Sequence, residues 1–307
     1  MSLKDVKGKI RAVSKIHQVT KAMEAVSAVK MRRSQAVAIE MRPFAIHSIG
    51  LLKRLVQKGA TKNHPLVLPR NEENNILIVV ITSDRGLAGA LNTYVLKAVH
   101  EKIKTKGWTK EQVRILAIGK KGYEHFHKRG YVVVDRLERW GEGVSMGDPE
   151  TLAETLIKDF LGASYDKVFL AYSNFISTFS QEPVVRRLLP ISFLAVEELI
   201  DGIVPEKGKY SELRKEDVKR EVDEYLFEPN ERTVLDELLP YLISVLLYHA
   251  VLQANASEHS ARMVAMKSAS DRARDLTKDL TRLFNKERQT SITAEVSEIT
   301  SGIEAMR

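Results

Sequence analysis

Apolar positions fall into three textures along the 307 residues. Over residues 1–58 they recur at helical spacing. Val6, Ile10, Val13 and His17 make one line, and Ile16, Val19, Met23 and Val26 make a neighbouring one. Ala22, Ala25, Ser27 and Ala28 interleave, which lets another helix approach closely. Pro43 and Gly50 interrupt this stretch. From about Glu231 to Met306 the helical spacing returns through Leu235, Leu238, Leu242, Val245, Leu252, Ala256, His259, Met263, Met266, Ala273, Leu276 and Leu280. That run holds one proline, Pro240, and no glycine before Gly302, so it predicts one helix longer than a globular domain needs. At 1.5 Å per residue it would reach roughly 110 Å, against roughly 80 Å for the N-terminal stretch. Part of it then lies outside any pairing of the two. The apolar tip Ile292, Val296, Ile299, Ile303 and Met306 is the part that would need another molecule to cover it.

The middle of the chain has strand texture. Asn75–Thr82 is a short β-branched run that reads as a buried strand, and Val113–Ile118, Tyr131–Val134, Val168–Tyr172 and Pro183–Leu189 follow it. Helical stretches alternate with them over Leu91–Lys106, Lys120–Lys128 and Pro149–Leu161, the last with Asp148 as its expected N-cap. The alternation predicts a parallel, doubly wound, Rossmann-like α/β sheet. Residues 201–230 are charged and broken by Gly202, Pro205, Gly208 and Pro229, which reads as a linker, with Tyr225–Phe227 as a short edge strand. The expected division is therefore a coiled-coil helix over 1–58, an α/β domain over 75–200, a charged linker over 201–230 and a second coiled-coil helix over 231–307.

Charge sharpens this picture. The net charge is +8, yet residues 1–58 hold thirteen Lys or Arg against three Asp or Glu. A basic helix at one end predicts an acidic partner there. No cysteine is present, which leaves out disulfides and thiolate metal sites. No run approaches 18 uninterrupted apolar residues and no secretory leader is visible, so neither a membrane span nor export is expected.

Candidate chemistry is thin. The turn Ser83–Asn92 follows a strand and opens a helix, where phosphates bind in α/β folds. It lacks the Gly-Lys-Ser/Thr ending of a P-loop, and Gly86-x-x-Gly89 is not a dinucleotide fingerprint, so its glycines read as serving a tight turn and close helix–sheet packing. His125 and His127 stand two apart on a helical stretch and point to different sides. Glu258-His259 sits on the helical seam without a second ligand pair. No catalytic constellation, cofactor site or metal site is expected. A nucleic-acid-binding coiled coil would account for the basic helix, and a Rossmann-type enzyme for the middle domain, but the latter needs the missing phosphate fingerprint.

Three long motifs carry a resemblance. IHQVTKAMEAVSAVKMRRSQ (Ile16–Gln35), TSDRGLAGALN (Thr82–Asn92), and ASEHSARMVAMKSASDRA (Ala256–Ala273) with NKERQTSITAEVSEITSG (Asn285–Gly302) resemble, in order, the N-terminal, central and C-terminal signatures of the gamma-subunit family of the F-type ATP synthase. Ala88 stands where many of that family carry Cys, and the cysteine-bearing insertion of the chloroplast type is missing, so thiol control is not expected. The resemblance implies an antiparallel two-helix coiled coil with an α/β domain at its foot. It implies a rotor shaft inside a ring of three alpha and three beta subunits, with the epsilon subunit and the membrane c-ring at the foot. It further implies a peripheral place on the cytoplasmic face of a bacterial plasma membrane and no catalysis by the chain itself. The related vacuolar and archaeal stalk subunits share the shaft but not an α/β domain of this size. By position in the signatures, Lys21, Met23, Lys30, Arg32, Arg33, Arg262, Arg288 and Gln289 are the expected rotor–stator contacts. Ile292, Val296, Ile299, Ile303 and Met306 are the expected apolar bearing tip.

Overall fold

The computed structural model describes residues 3–61, 63–70, 73–141, 144–192 and 227–306. Most of the charged 201–230 segment, and Tyr225 within the expected edge strand, lie outside them. The chain divides into two compact units, one formed by 1–27 with 262–307 and the other by 28–261. Helix α1 (Leu3–Glu40) and the C-terminal helix, α6 (Glu231–Ala305), each contribute to both.

The larger unit is built on a five-stranded sheet of β1 (Ile76–Ile81), β2 (Val113–Ile118), β3 (Val132–Leu137), β4 (Lys167–Ser177) and β5 (Ser180–Leu189), in the order β3-β2-β1-β4-β5. Every residue of β1 is buried, as its uninterrupted Ile/Leu/Val run requires of a strand covered on both faces. Successive side chains alternate between two cores. Ile76, Ile78 and Val80 meet α3 (Leu91–Lys106) through Val95, Val99 and Ile103, with Phe126 of α4 (Lys120–His127). Leu77, Val79 and Ile81 face a core shared by α2 (Arg42–Gln57), α5 (Gly147–Leu161) and the first part of α6.

Two sequence expectations are corrected here. Four strands run parallel, but β5 is antiparallel to β4. Only Thr178 and Phe179 link them, and a parallel return needs a dozen or so residues of crossover. The N-cap of α5 is Met146, with Asp148 one place inside the helix, where its carboxylate accepts the Ser145 backbone N–H at 3.2 Å.

Helix α6 is buried on every side from Leu242 to Ser257. A helix apolar or small all round belongs in a core rather than on a surface. Leu242, Ile243, Leu246, Leu247, Ala250 and Val251 pack into the same cluster as the sheet. The polar residues of this stretch are spent on the sheet and its loops. The Phe175 N–H donates to Gln253 Oε1 at 3.2 Å, Ser257 Oγ donates to the Ser173 carbonyl at 2.9 Å, and Asn255 Nδ2 donates to the Trp140 carbonyl at 3.0 Å. A stretch of α6 is long and apolar enough to cross a membrane by length and composition, and 67% of it is buried inside the protein, which accounts for its apolar character.

The smaller unit consists of α1 up to Ser27 and α6 from Arg262. Its seam is more polar than the sequence pattern indicates. Val6, Thr20, Ser27, Met266, Ser270 and Ala273 are buried, while Ile10, Val13, His17 and Met23 are half-buried. His17 Nδ1 lies 3.0 Å from the Ser270 carbonyl and 2.9 Å from its hydroxyl. The second expected packing line fails: Ile16, Val19 and Val26 are 53%, 58% and 56% exposed. The hydroxyl residues Thr20, Ser27 and Ser270 take seam positions in place of Ile16, Val19 and Val26, and the small Ser and Ala side chains permit a close approach of two helices.

Candidate functional site

The expected contact residues do not form one cluster. Lys21 is exposed and paired with Glu24 one turn on, at 3.1 Å, and Met23 beside it is half-buried. Both belong to the smaller unit. Lys30 is half-buried, Met31 is buried, and Arg32 and Arg33 after it are exposed; these belong to the larger unit. Arg262 is 9% exposed, whereas Arg288 and Gln289 are fully on the surface. Twenty-six residues of helix separate Arg262 from Arg288, about 39 Å. Arg262 is thus nearly buried in the described fold, and Arg288 with Gln289 faces outward.

The tip residues do share one face. Steps of four, three, four and three residues keep Ile292, Val296, Ile299, Ile303 and Met306 within an arc of about 80° on an α-helix. They are 52%, 56%, 65%, 58% and 90% exposed. Ile16, Val19 and Val26 form a second exposed apolar line, on α1, that pattern reading assigned to packing. The signal that would have found it is the alternative seam of Thr20 and Ser27, whose hydroxyls mark the buried side.

The central motif is a structural clasp. Ser83 N–H donates to Asn92 Oδ1 at 3.0 Å, Asn92 Nδ2 donates to Ser83 Oγ at 2.7 Å, and Ser83 Oγ donates to the Arg85 carbonyl at 2.7 Å. The Asp84 carboxylate then ties this turn to the β2–α4 and β3 loops by accepting the backbone N–H groups of Lys120 (3.0 Å) and Arg139 (2.9 Å). With one oxygen on each of two loops, Asp84 is engaged in holding the strand ends together. Gly89 uses its freedom at φ +58°, but neither Gly86 nor Gly89 has a heavy atom within 4 Å of an added Cβ. The close approach expected of them occurs at Gly119 and Gly122, against Thr82.

The two histidines make separate contacts, in keeping with their spacing of two on a helix. His127 stacks on Tyr123 at 5.2 Å, while His125 Nε2 meets His100 Nε2 of α3 at 2.9 Å. Arg129 Nη1 lies 3.1 Å from His125 Nδ1. A guanidinium can only donate, so Nδ1 accepts and the His125 proton sits on Nε2, pointing at His100. Burial first, then Arg129 and His100, lowers His125 to about 4, and burial lowers His100 as well. Among the described residues no group of three or more His, Cys, Asp or Glu could hold a metal ion.

Comparison with known proteins fits this arrangement of long helices around an α/β sheet. The ATP synthase family profile matches residues 2–306. The ATP synthase gamma chain of Roseiflexus sp. (strain RS-1) is 38% identical over 306 residues, covering 99% of this chain and 98% of that one. That of Heliobacterium modesticaldum is 35% identical over 304 residues, covering 99% of each. Among solved structures, the central stalk/c-ring of Tetrahymena thermophila mitochondrial ATP synthase is similar with TM-score 0.57 at 24% identity, covering 82% of this chain and 99% of that one. A chain of the Euglena gracilis mitochondrial enzyme gives TM-score 0.62 at 18% identity, covering 99% and 94%. The two structures speak for the fold and the curated relatives for descent: with matches running the whole length of both partners, this chain belongs to the gamma-chain family of the F-type ATP synthase, the rotary central stalk of that complex.

Proposed function

We propose that the chain is the rotor shaft that couples proton or sodium flow through a membrane c-ring to conformational cycling of the catalytic beta subunits. Membership in the gamma-chain family is the observation that carries this. The working parts start from the sequence division: helices over 1–58 and 231–307 supply the coiled-coil shaft, with α2 and the first part of α6 packed into the foot built on residues 75–200, and 201–230 a charged linker. The shaft stands in the alpha3beta3 ring, and the foot meets the epsilon subunit and the c-ring. The chain makes and breaks no bond of ATP itself and works at the cytoplasmic face of a bacterial plasma membrane. Torque passes through Lys21, Met23, Lys30, Arg32, Arg33, Arg288 and Gln289, with Arg262 fixing the helix that carries the last two. The apolar tip turns in a sleeve made by the ring.

Exposure supports the last assignment, because five apolar side chains on one face are available to a partner. Dispersion and water exclusion have no preferred angle, so an apolar sleeve permits rotation that directional hydrogen bonds would arrest. One charge crossing 100 mV releases about 2.3 kcal/mol, so the shaft must pool several ion steps for each ATP. The test is reconstitution of the complex with and without this chain in sealed vesicles. With it, ATP hydrolysis drives ion uptake. Uptake that continues without it, or hydrolysis that stays uncoupled with it, overturns the reading.

A further inference from the structure

Within the larger unit, a cavity of about 480 Å³ opens between α5 and the sheet, at the side where β3 is the edge strand. Its floor is apolar, made by Leu77, Leu116, Leu152 and Leu156, all buried in the surrounding core. Trp140 and Tyr165 supply aromatic walls. Its charged lining residues are Asp135, Asp148 and Asp159; no Lys, Arg or His lines it, and the nearby Arg114 is engaged by the Tyr165 hydroxyl. That is a local reversal in a chain of net charge +8.

The volume lies within the roughly 300–1,000 Å³ of small-molecule sites. An apolar floor excludes a hydrated inorganic cation, which would gain nothing from the leucines, and the carboxylates repel an anion. Aromatic faces and carboxylates together favour a weakly hydrated organic cation, whose body fills the floor while its charge stays at the rim. Asp148 and Asp135 each accept backbone N–H groups, from Ser145 and Arg136, but a carboxylate has about four acceptor positions and both keep capacity. We infer that this cavity binds a lipophilic organic cation, a ligand class separate from the rotary function. The juxtaposition of an apolar floor, two aromatic walls and an all-acidic rim carries the inference.

The test is calorimetric titration of the full chain with tetraphenylphosphonium, and with two comparison probes, the isosteric anion tetraphenylborate and the triamine spermidine. Saturable one-to-one binding of the phosphonium is expected, at least about tenfold tighter than either comparison, the scale of discrimination that one good charge interaction supplies. Asp135→Asn with Asp159→Asn should weaken it about tenfold by the same reasoning. Leu152→Trp fills the floor and should abolish binding. Because Leu152 is buried, Thr155→Trp at the exposed rim provides a second block that leaves the core untouched. Equal affinity for the borate reduces the site to apolar adsorption, and equal affinity for spermidine reduces it to an acidic patch. Binding unchanged by Thr155→Trp places it elsewhere. Any of these three results overturns the inference.

Discussion

Gly86 and Gly119 lie in the two loops that Asp84 ties together and carry opposite constraints. A Cβ on Gly119 would sit 2.0 Å from the Thr82 carbonyl oxygen, at φ +94°, while one on Gly86 would meet nothing within 4 Å. Gly119→Ala therefore forces both a strained backbone and a displaced strand end, and should cost more than the roughly 1–3 kcal/mol of a sparsely populated φ/ψ alone. Gly86→Ala should stay within about 0.5 kcal/mol of the parent in urea midpoints of the full chain. His249 makes a second residue-scale prediction. It is fully buried with Nδ1 unpartnered, and desolvation, then Arg186, lowers it to about 3. The unfolded chain binds the proton near 6.5, so between these values the unfolded state holds more protons and stability rises with pH. The contribution is complete above about 6.5 and is lost as pH falls toward 3, by at most about 1.4 kcal/mol per pH unit. His125 and His100, also lowered, add to the slope in the same direction. His249→Leu should flatten the acid limb of the stability curve measured from pH 7 to 4, and an unchanged limb would assign it to other groups.

At the scale of elements, α6 changes character along its length, and truncation variants can read this. Leu247 is fully buried and Leu276 is 49% exposed. Leu247→Ala should cost about 2–5 kcal/mol, as for a core leucine. Leu276→Ala should cost less than about 1 kcal/mol, as for a half-exposed one. Similar losses at both sites would mean that the helix is packed alike throughout. The pattern in the sequence gives the boundaries of β2 and α3 to the residue, because Val113–Ile118 and Leu91–Lys106 show clean strand and helix periods. It stops β4 at Tyr172, five residues early, since Ser173, Asn174 and Ser177 look like loop residues. Their polarity is matched by a buried helix: Ser257 on the Ser173 carbonyl, Gln253 on the Phe175 N–H. That match joins residues about eighty apart and has no local signature. The same limit explains α1. A helix period marks a stripe, but Ile16, Val19 and Val26 compete with Thr20, Ser27 and His17 for the seam. Only the partner helix, with Ser270 against His17, decides between them.

For the whole molecule, the proposed contact residues rest on long motifs, not on physical pattern, because a surface for another protein would leave no trace in the chain's own core. Met23→Lys puts a charge on a half-buried position of α1, and should lower ATP-driven ion pumping more than Lys30→Ala lowers assembly of the complex. Exposed ion pairs such as Lys21–Glu24 carry only about 0–1 kcal/mol each, so no single cation of the basic collar around Met23 (Lys21, Lys30, Arg32 and Arg33) should be indispensable. Pumping that survives Met23→Lys intact removes the collar from the torque path. The tip allows the sharper experiment. If Ile292, Val296, Ile299, Ile303 and Met306 capped an internal core, ending the chain after Asn285 would unfold it. They are instead at least 52% exposed, so the shortened chain should melt at the parent temperature when isolated. In the complex the proposed sleeve would cover the same residues. Burying the exposed half of five such side chains contributes about 1 kcal/mol each as an upper bound. The catalytic complex carrying the shortened chain should therefore melt earlier than the parent complex. Single-molecule rotation should persist in part, since the collar and the foot remain. Equal melting of both complexes would rule out a bearing that holds the shaft, while a lowered melting of the isolated chain would return the tip to the fold.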